Sequence, residues 1–198
     1  MQSAMIDLAF DISGGTLPPT YPFALWAELV RHVPQLADNE SIGVLPLRAA
    51  ESGGDVLLSK RSKLVLRIPI KLSEELMTKL TGKLLDLCGI PMQLGAGKTR
   101  QIAPYPTLHA RQVASTEDEE PFMESVRAQL DEMFIACSLI CGMRRTIGAK
   151  DLSIHGYSLV VHALKPEASL RLQSFGLGKG RCFGCGIFLP YKVIPALE

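Results

Sequence analysis

The sequence lacks three features that would assign it to a class of protein at once. It has no run of 18 apolar residues, no basic residue ahead of its first apolar residues, and a formal net charge of only +1. These absences argue against a membrane-spanning helix, a secretory signal peptide and an overall basic field for nucleic acid. Any attraction to phosphate must therefore come from a local cluster of Lys and Arg. The odd number of cysteines, five, fits a cytoplasmic protein with reduced thiols.

The composition is that of an ordinary globular protein. Hydrophobic residues make up 47% of the 198 residues and charged residues 21%. This apolar content can form a substantial core, so disorder is not expected. The length suits one large domain or two domains of about 100 residues each.

The first half of the chain predicts the element order β-α-β-β-α-β. In the helix after the first strand, Phe23, Trp26, Val30 and Val33 recur at three- and four-residue spacing, which predicts a buried stripe. The six predicted elements are Met5–Ile12, Tyr21–Val33, Ile42–Leu47, Val56–Ile70, Ser73–Leu80 and Leu84–Leu94, the last of them a strand or a hairpin.

The second half repeats this order without repeating the sequence. Its predicted elements are Thr107–Val113, Asp118–Phe134, Ser138–Arg145, Leu152–Leu164, Pro166–Phe175 and Cys182–Leu189. The pattern breaks near Gly97–Pro106. We therefore predict an α+β protein with two tandem ferredoxin-like (βαββαβ) domains, residues 1–97 and 98–198, the second of which carries a C-terminal glycine-rich loop.

The predicted strand Val56–Ile70 carries the strongest local positive charge. Its apolar residues Leu64, Leu66 and Ile68 alternate with the basic ones. Because neighbouring side chains of a strand point to opposite faces, this alternation predicts a basic stripe on one face of the sheet. The stripe consists of Arg61, Lys63 and Arg67.

Two other motifs resemble known sites only in part. Gly95–Thr99 (GAGKT) resembles the end of a phosphate-binding P-loop, but Met92 stands where the pattern requires Gly, and two prolines follow where it requires a helix. We interpret this segment as an interdomain linker. Cys182 and Cys185 have the spacing of a metal knuckle, yet a structural zinc needs four ligands, and buried apolar cysteines are the simpler interpretation.

The segment Phe175–Phe188 holds five glycines and two basic residues. Its spacing is Gly-h-Gly, five residues, then Gly-h-Gly, where h is apolar. A tight turn between a helix and a strand needs one or two glycines rather than five. Main-chain amides of such a loop can form an anion nest, and adjacent cations suit phosphate. The residues concerned are Gly176, Gly178, Lys179, Gly180, Arg181, Gly184 and Gly186.

This loop, at the end of two ferredoxin-like patterns, resembles the glycine-rich signature of the repeat-associated (RAMP) superfamily. Within it the chain is similar to the CRISPR endoribonucleases that cut precursor transcripts into guide RNAs, and more narrowly to the myxan subtype. The supporting stretches are Leu45–Arg48 (LPLR), Ser59–Pro69 (SKRSKLVLRIP), Ser169–Gln173 (SLRLQ) and Gly176–Lys192 (GLGKGRCFGCGIFLPYK).

The resemblance implies a metal-independent reaction in which a 2′-hydroxyl attacks the neighbouring phosphorus. It leaves a 2′,3′-cyclic (or 3′) phosphate and a 5′-hydroxyl, and it needs proton transfer and cations but no cofactor. A His in or just after the first helix carries the proton transfer in many members, and His32 is the one in that position. The resemblance assigns Lys60 and Arg61 as cations, with Arg48 in reserve, and Tyr21 as a residue that could orient the substrate.

The implied partner is the hairpin of a CRISPR repeat RNA, followed by the mature guide RNA and other subunits of an effector complex. The glycine-rich loop and the residues Arg48, Lys63 and Arg67 are the implied RNA-binding elements. Three alternatives remain at this point. His32 could be an ordinary surface histidine, the chain could be a non-catalytic RNA-binding subunit of the same fold, or Gly95–Thr99 could belong to a nucleotide-binding enzyme.

Overall fold

The computed structural model describes residues 4–48, 50–52 and 55–191. The chain divides into two compact units. The first comprises the described residues up to Ile102, together with Thr146–Ile154 and Arg181–Gly184. The second comprises Ala103–Arg145, His155–Gly180 and the described residues from Cys185 onward.

The first unit contains a five-stranded antiparallel sheet in the order β3-β6-β1-β8-β7 and a small sheet in the order β2-β5-β4. Its elements are β1 (Met5–Ser13), β2 (Thr16–Leu17), α1 (Tyr21–His32), β3 (Gly43–Val44), β4 (Ala50–Ser52), β5 (Asp55–Leu57), β6 (Lys63–Pro69), α2 (Ser73–Leu80), β7 (Leu84–Leu87) and β8 (Ile90–Gln101).

The second unit contains a four-stranded sheet in the order β10-β11-β9-β12. Its elements are β9 (Leu108–Ala114), α3 (Glu119–Glu132), β10 (Ser138–Ala149), β11 (Leu152–His162), α4 (Pro166–Phe175) and β12 (Phe188–Pro190); the end of β10 and the start of β11 belong to the first unit. The strand β7 forms a hairpin with β8 and is left out of the comparison. Within each sheet the four remaining strands, numbered 1 to 4 along the chain, then lie side by side in the order 2-3-1-4. This order confirms two tandem ferredoxin-like folds in an α+β protein.

The buried face of the first helix differs from the predicted stripe, of which only Val33, just beyond the helix end, is fully buried. Leu25 and Leu29 are buried at its centre, whereas Phe23, Trp26 and Val30 are only half-buried. Both sets of residues have helical spacing, and packing against the sheet decides between them. The helix ends at His32, since Val33 leaves the helical region at φ −138° and Pro34 follows.

Two segments of the first unit differ from their predicted structures. The predicted strand Val56–Ile70 is interrupted by a turn in which the Ser62 amide donates to the Ser59 carbonyl at 3.0 Å, so β5 and β6 are separate strands. Gly95–Thr99, interpreted as a linker, lies instead inside β8, where Gly97 and Lys98 pair with Phe10 and Ala9 of β1. A P-loop is thereby excluded, because this segment is extended and no helix follows it.

Most of the predicted strand Cys182–Leu189 is also not a strand. Arg181–Phe183 forms a single turn of 3-10 helix, and β12 begins only at Phe188. The glycines on either side prevent a regular strand, since Gly180, Gly184 and Gly186 all have positive φ, between 63° and 90°. In the part of the chain that the structure describes, no helix is long and apolar enough to cross a membrane.

Candidate functional site

The last turn of α1 places the candidate histidine in a hydrogen-bonded chain with two other side chains. Arg31 Nε donates to Glu28 Oε1 at 2.7 Å, and Arg31 Nη2 donates to Glu28 Oε2 at 2.9 Å. Arg31 Nη2 also lies 3.0 Å from His32 Nε2. Because a guanidinium can only donate, Nε2 is the acceptor and carries no proton. The proton of the neutral ring then lies on Nδ1.

The strand β7 holds Glu28, the residue at the other end of this chain of hydrogen-bonded side chains. Glu28 Oε2 accepts a hydrogen bond of 2.9 Å from the Asp86 amide on β7. The hydrogen bond from Arg31 is the main cause that lowers the pKa of the Glu28 carboxyl from 4.5 to about 2. The ion pair therefore contributes its full stability above about pH 4.5 and loses it as the pH falls toward 2. At neutral pH Glu28 is ionised and holds Arg31.

Arg31 also borders a cleft of about 250 Å³ between the end of α1 and the β7–β8 hairpin. The Arg31 side chain is 59% exposed. Its Nε and Nη2 hold Glu28 and His32, and Nη1 has no hydrogen-bond partner among the described residues. The cleft is lined by Glu28, Arg31, Leu84, Leu85, Asp86, Gly89 and Pro91.

A second basic group lies beside the start of α1. Lys60 and Arg61 occupy the turn between β5 and β6, and Ser62 Oγ of that turn donates to the Arg48 carbonyl at 3.2 Å. The amide of Leu47, the residue before Arg48, donates a hydrogen bond to Tyr21 Oη at 3.3 Å. All three cations are exposed. The main chain of Arg48 therefore lies next to the turn that carries Lys60 and Arg61.

His32 is not part of this second group. Tyr21 and His32 are the first and last residues of α1, and a helix of that length separates its ends by about 16 Å. The cation beside His32 is Arg31, which the sequence analysis did not select. The spacing of Glu28 and Arg31, an acid three residues before a base on a helix, is the signal that indicates such a pair.

The strand β6 does not present the exposed basic stripe predicted for it. Lys63 is exposed and paired with Asp11, but Arg67 is only 1% exposed. Arg67 Nε donates to Asp7 Oδ1 at 2.8 Å, and Arg67 Nη2 donates to Asp7 Oδ2 at 3.1 Å. Both carboxylates lie on β1, directly opposite their cations in the strand register. The alternation was predicted correctly, but the neighbouring strand neutralises the charge.

The glycine-rich loop uses many of its main-chain amides within the protein. Six amides of the loop donate to protein acceptors: Gly176 to the Leu172 carbonyl, Leu177 to Gly186, Gly178 to Gln129 Oε1, Gly184 to Arg181, Cys185 to Gly180 and Gly186 to Gln112, at 2.7–3.2 Å. A phosphate at these six amides would have to displace an existing hydrogen bond. The exposed residues of the loop are Gly178 and Lys179.

The structure provides an internal reason for the glycines. All five have positive φ, a region that L side chains rarely adopt. A Cβ at Gly186 would collide with the Leu177 carbonyl oxygen. Gly176, Gly184 and Gly186 are buried, and Gly180 is half-buried. The spacing that indicated an RNA-binding loop is therefore also required by the packing of the loop itself.

Arg181, predicted to bind RNA, is a buried residue of the first unit. Arg181 is only 7% exposed. Burial, together with the nearby positive charge of Arg67, lowers the pKa of its guanidinium to about 10. It remains charged at neutral pH. The adjoining Phe183 ring lies 4.9 Å from the Phe23 ring of α1. Arg181 thus faces the interior of the protein rather than its surface.

Comparisons with known proteins agree on one family. The family model described as Cas6 Crispr matches residues 6–193. A CRISPR-associated endonuclease Cas6 from Myxococcus xanthus is 33% identical over 187 residues, which cover 93% of this chain and 81% of that protein.

Solved structures show the same fold at low identity. The product of a Cas6-related gene from Pyrococcus furiosus has a TM-score of 0.68 at 13% identity and covers 98% of this chain and 100% of its own. A CRISPR-associated protein Cas6 has a TM-score of 0.70 at 9% identity, with 96% and 100% covered. The CRISPR endoribonuclease Cse3, bound to a 19-nucleotide RNA, has a TM-score of 0.53 at 12% identity, with 94% and 98% covered.

Proposed function

Since the chain belongs to the Cas6 family of CRISPR-associated proteins, we propose that it is an endoribonuclease that binds the repeat hairpin of precursor CRISPR RNA and cuts it. The family relative is named an endonuclease, and Cse3, which shares the fold, binds RNA. The observation that carries the proposal in this chain is the His32 imidazole, whose unprotonated Nε2 lies beside a fixed guanidinium at the end of α1. This is the pairing of proton acceptor and cation that phosphodiester cleavage requires.

In the proposed reaction RNA binding draws Arg31 from His32 Nε2 to a phosphate oxygen, and the freed lone pair of Nε2 accepts the proton of the 2′-hydroxyl on the nucleotide before the cut. The 2′-oxygen then attacks the adjacent phosphorus, the bond from phosphorus to the 5′-oxygen breaks, and the 5′-oxygen takes a proton from water. The products are a 2′,3′-cyclic phosphate, or the 3′-phosphate formed from it, and a 5′-hydroxyl. No metal ion takes part in these steps. A base in this position contributes a factor of about 10²–10⁴ to the rate.

RNA binding is proposed for the exposed cations. Arg48, Lys60 and Arg61 are exposed, and the main chain of Arg48 is hydrogen-bonded to the turn that carries the other two. They are proposed to contact the phosphates of an RNA stem, which proteins read mainly by shape and backbone. Lys179 and Gly178 are the exposed part of the glycine-rich loop and are proposed as a further backbone contact. Arg67 and Arg181 are left out, because both side chains are buried.

The function is tested by incubating the pure protein with its own repeat RNA in excess EDTA and analysing the ends of the fragments. We expect cleavage at the same rate as without EDTA, with 5′-hydroxyl ends and 2′,3′-cyclic or 3′-phosphate ends. Cleavage that needs a divalent metal, or fragments with 5′-phosphate and 3′-hydroxyl ends, would overturn the mechanism.

The basic group at the start of α1 makes a separate prediction about RNA binding. Replacing both Lys60 and Arg61 by Ala should weaken binding of an uncleavable repeat RNA and lower the slope of log affinity against log salt by about one for each cation lost. Affinity measured at several salt concentrations checks this. Arg127→Ala, which removes an exposed cation on α3, is the control and should leave the slope unchanged. An unchanged slope in the double variant would exclude this group from the RNA interface.

We also propose that the protein stays bound to the mature guide RNA within an effector complex. The second candidate function is the non-catalytic RNA-binding subunit of such a complex, which the shared fold permits. If the unmutated protein binds the repeat RNA tightly and never cleaves it, with or without added metal, this second function is favoured. Co-purification of full-length guide RNA with the protein from its own host tests the retention of the product.

A further inference from the structure

We propose that His109, Tyr191 and Arg145 form a separate RNA contact in the second unit, which binds one unpaired nucleotide of the repeat RNA. The base of that nucleotide packs on the Tyr191 ring beside His109, and Arg145 binds its phosphate. We call these three residues the stacking site. The inference rests on the proposed function, because it concerns the same RNA, but it involves none of the residues assigned to cleavage.

His109 lies at the centre of the sheet face that points away from α3. Leu108 and Ala110 of β9 are fully buried in the same core as the side chains of α3, so His109 between them points to the opposite face. His109 pairs in register with Val160 of β11 on one side and with Leu189 of β12 on the other. All three are half-buried. They form a row across the inner strands of this face.

Tyr191 adds a second ring to this face. It follows Leu189 by two residues, which places both side chains on the same side of the sheet. Its amide continues the pairing with β9 by donating to the Thr107 carbonyl at 3.0 Å. The ring centroids of Tyr191 and His109 lie 5.3 Å apart, and the rings are tilted by 46° rather than stacked. Since Tyr191 is 46% exposed, part of its ring is open to a ligand.

Arg145 supplies a positive charge beside the rings. Its neighbour Arg144 reaches Tyr157 Oη in the core at 3.4 Å, so Arg145 is directed to the face of His109. Burial, and after it the charge of Arg145, lowers the pKa of His109, which keeps this imidazole neutral at neutral pH. Arg145 Nε is buried and has no hydrogen-bond partner among the described residues. A buried donor without an acceptor is unfavourable, and a phosphate oxygen would supply the acceptor.

A nucleotide of single-stranded RNA matches this combination of groups. Unpaired bases stack on Tyr and His rings, and a guanidinium binds phosphate. RNA-recognition motifs also hold bases on rings of a four-stranded sheet. The bases of a hairpin stem are already stacked on one another, so the nucleotide must come from an unpaired part of the repeat.

The stacking site is tested first by affinity for repeat RNA made uncleavable by a 2′-deoxy nucleotide at the cut. Tyr191→Ala should weaken binding about 5–150-fold, the usual range for loss of one base–ring stack. Tyr191→Phe keeps the ring and should stay within about two-fold of the unmutated protein. Arg145→Ala should lower the slope of log affinity against log salt by about one. The control is Phe134→Ala, which removes an exposed ring that follows α3 and should change neither quantity.

A scan of the RNA then separates a direct contact from an effect on the fold. Each unpaired nucleotide is replaced in turn by an abasic one, and affinity is measured with the unmutated protein and with Tyr191→Ala. At the nucleotide that binds Tyr191, the abasic change should weaken binding to the unmutated protein as much as Tyr191→Ala does. It should weaken binding to Tyr191→Ala less than about two-fold, because the contact is already lost.

The outcomes distinguish this inference from the proposed function. Unchanged affinity of Tyr191→Ala, or losses that add independently at every abasic position, would overturn the stacking site. The expected coupling, combined with no cleavage by the unmutated protein, would support the stacking site and overturn the proposed cleavage. If the unmutated protein binds no repeat RNA, both proposals are wrong.

Discussion

His32→Ala is expected to lower the single-turnover rate of repeat-RNA cleavage by a factor of about 10²–10⁴. His32 Nε2 is the proton acceptor in the proposed reaction, and the methyl side chain of Ala cannot accept a proton. Affinity for the uncleavable 2′-deoxy repeat RNA should stay within about three-fold of the unmutated value, because Lys60 and Arg61, the cations proposed to bind phosphate, lie in the turn between β5 and β6 and are unchanged in this variant.

The matched control for this variant is His162→Ala. His162 ends β11 in the second unit, is half-buried like His32, and has no role in the proposed reaction. Its loss should leave both the rate and the affinity unchanged. Cleavage by His32→Ala at the unmutated rate would remove His32 from the mechanism. A parallel loss of rate and affinity would indicate that His32 binds RNA rather than transferring a proton.

Asp7→Ala is expected to destabilise the protein by about 3–5 kcal/mol, measured as the free energy of unfolding in urea. It removes the carboxylate that makes two hydrogen bonds to Arg67, and Arg67 is 1% exposed. A charge left in the interior without its partner cannot be solvated by water. Replacing both partners, Asp7→Leu with Arg67→Met, should restore most of the lost stability, because an apolar pair of similar size needs no ion partner.

The control for Asp7 lies four residues along the same strand. Asp11 pairs with Lys63, and both side chains are exposed, at 59% and 46%. Asp11→Ala should cost less than about 1 kcal/mol, as is usual for surface ion pairs. If Asp7→Ala and Asp11→Ala lower the free energy of unfolding equally, burial of the Asp7–Arg67 pair does not determine its contribution to stability. A double variant as unstable as Asp7→Ala alone would show that the hydrogen bonds of Arg67 to other groups dominate.

The order of elements was accessible from the sequence because each element has a periodic pattern of its own. The helix Pro166–Phe175 was predicted with its observed bounds, and the chain order matches two ferredoxin-like folds. The buried face of α1 was not accessible in this way. Phe23–Trp26–Val30 and Leu25–Leu29 both fit a helical period, and only the sheet beneath selects the second set.

Charge patterns were less informative than apolar patterns, for a physical reason. A strand read alone shows which side chains share a face, but not what lies opposite them on the next strand. Arg67 and Lys63 share a face as predicted, yet Asp7 and Asp11 on β1 oppose them in register. Two of the three residues of the predicted stripe, Lys63 and Arg67, therefore form ion pairs. Which strands are neighbours is a property of the whole fold.

Part of the candidate site could be predicted from the sequence. The position of His32 followed from the likeness to a family, while its partner Arg31 was overlooked, because the cations were sought on the basic strand rather than on the same helix. Gly176–Gly186 illustrates the opposite case. Its spacing resembled the glycine-rich signature of the superfamily, yet its buried glycines with positive φ also satisfy a packing requirement of the loop itself.

The claim that the 2′-hydroxyl is the nucleophile is tested most directly by a single change in the RNA. After the cut is mapped, the pure protein in excess EDTA is given the repeat RNA with one 2′-deoxy nucleotide immediately before the cut. We expect this RNA to be bound as tightly as the natural one and not cleaved at all. Cleavage of the 2′-deoxy RNA at the natural rate would show that water attacks the phosphorus, and it would contradict the proposed mechanism.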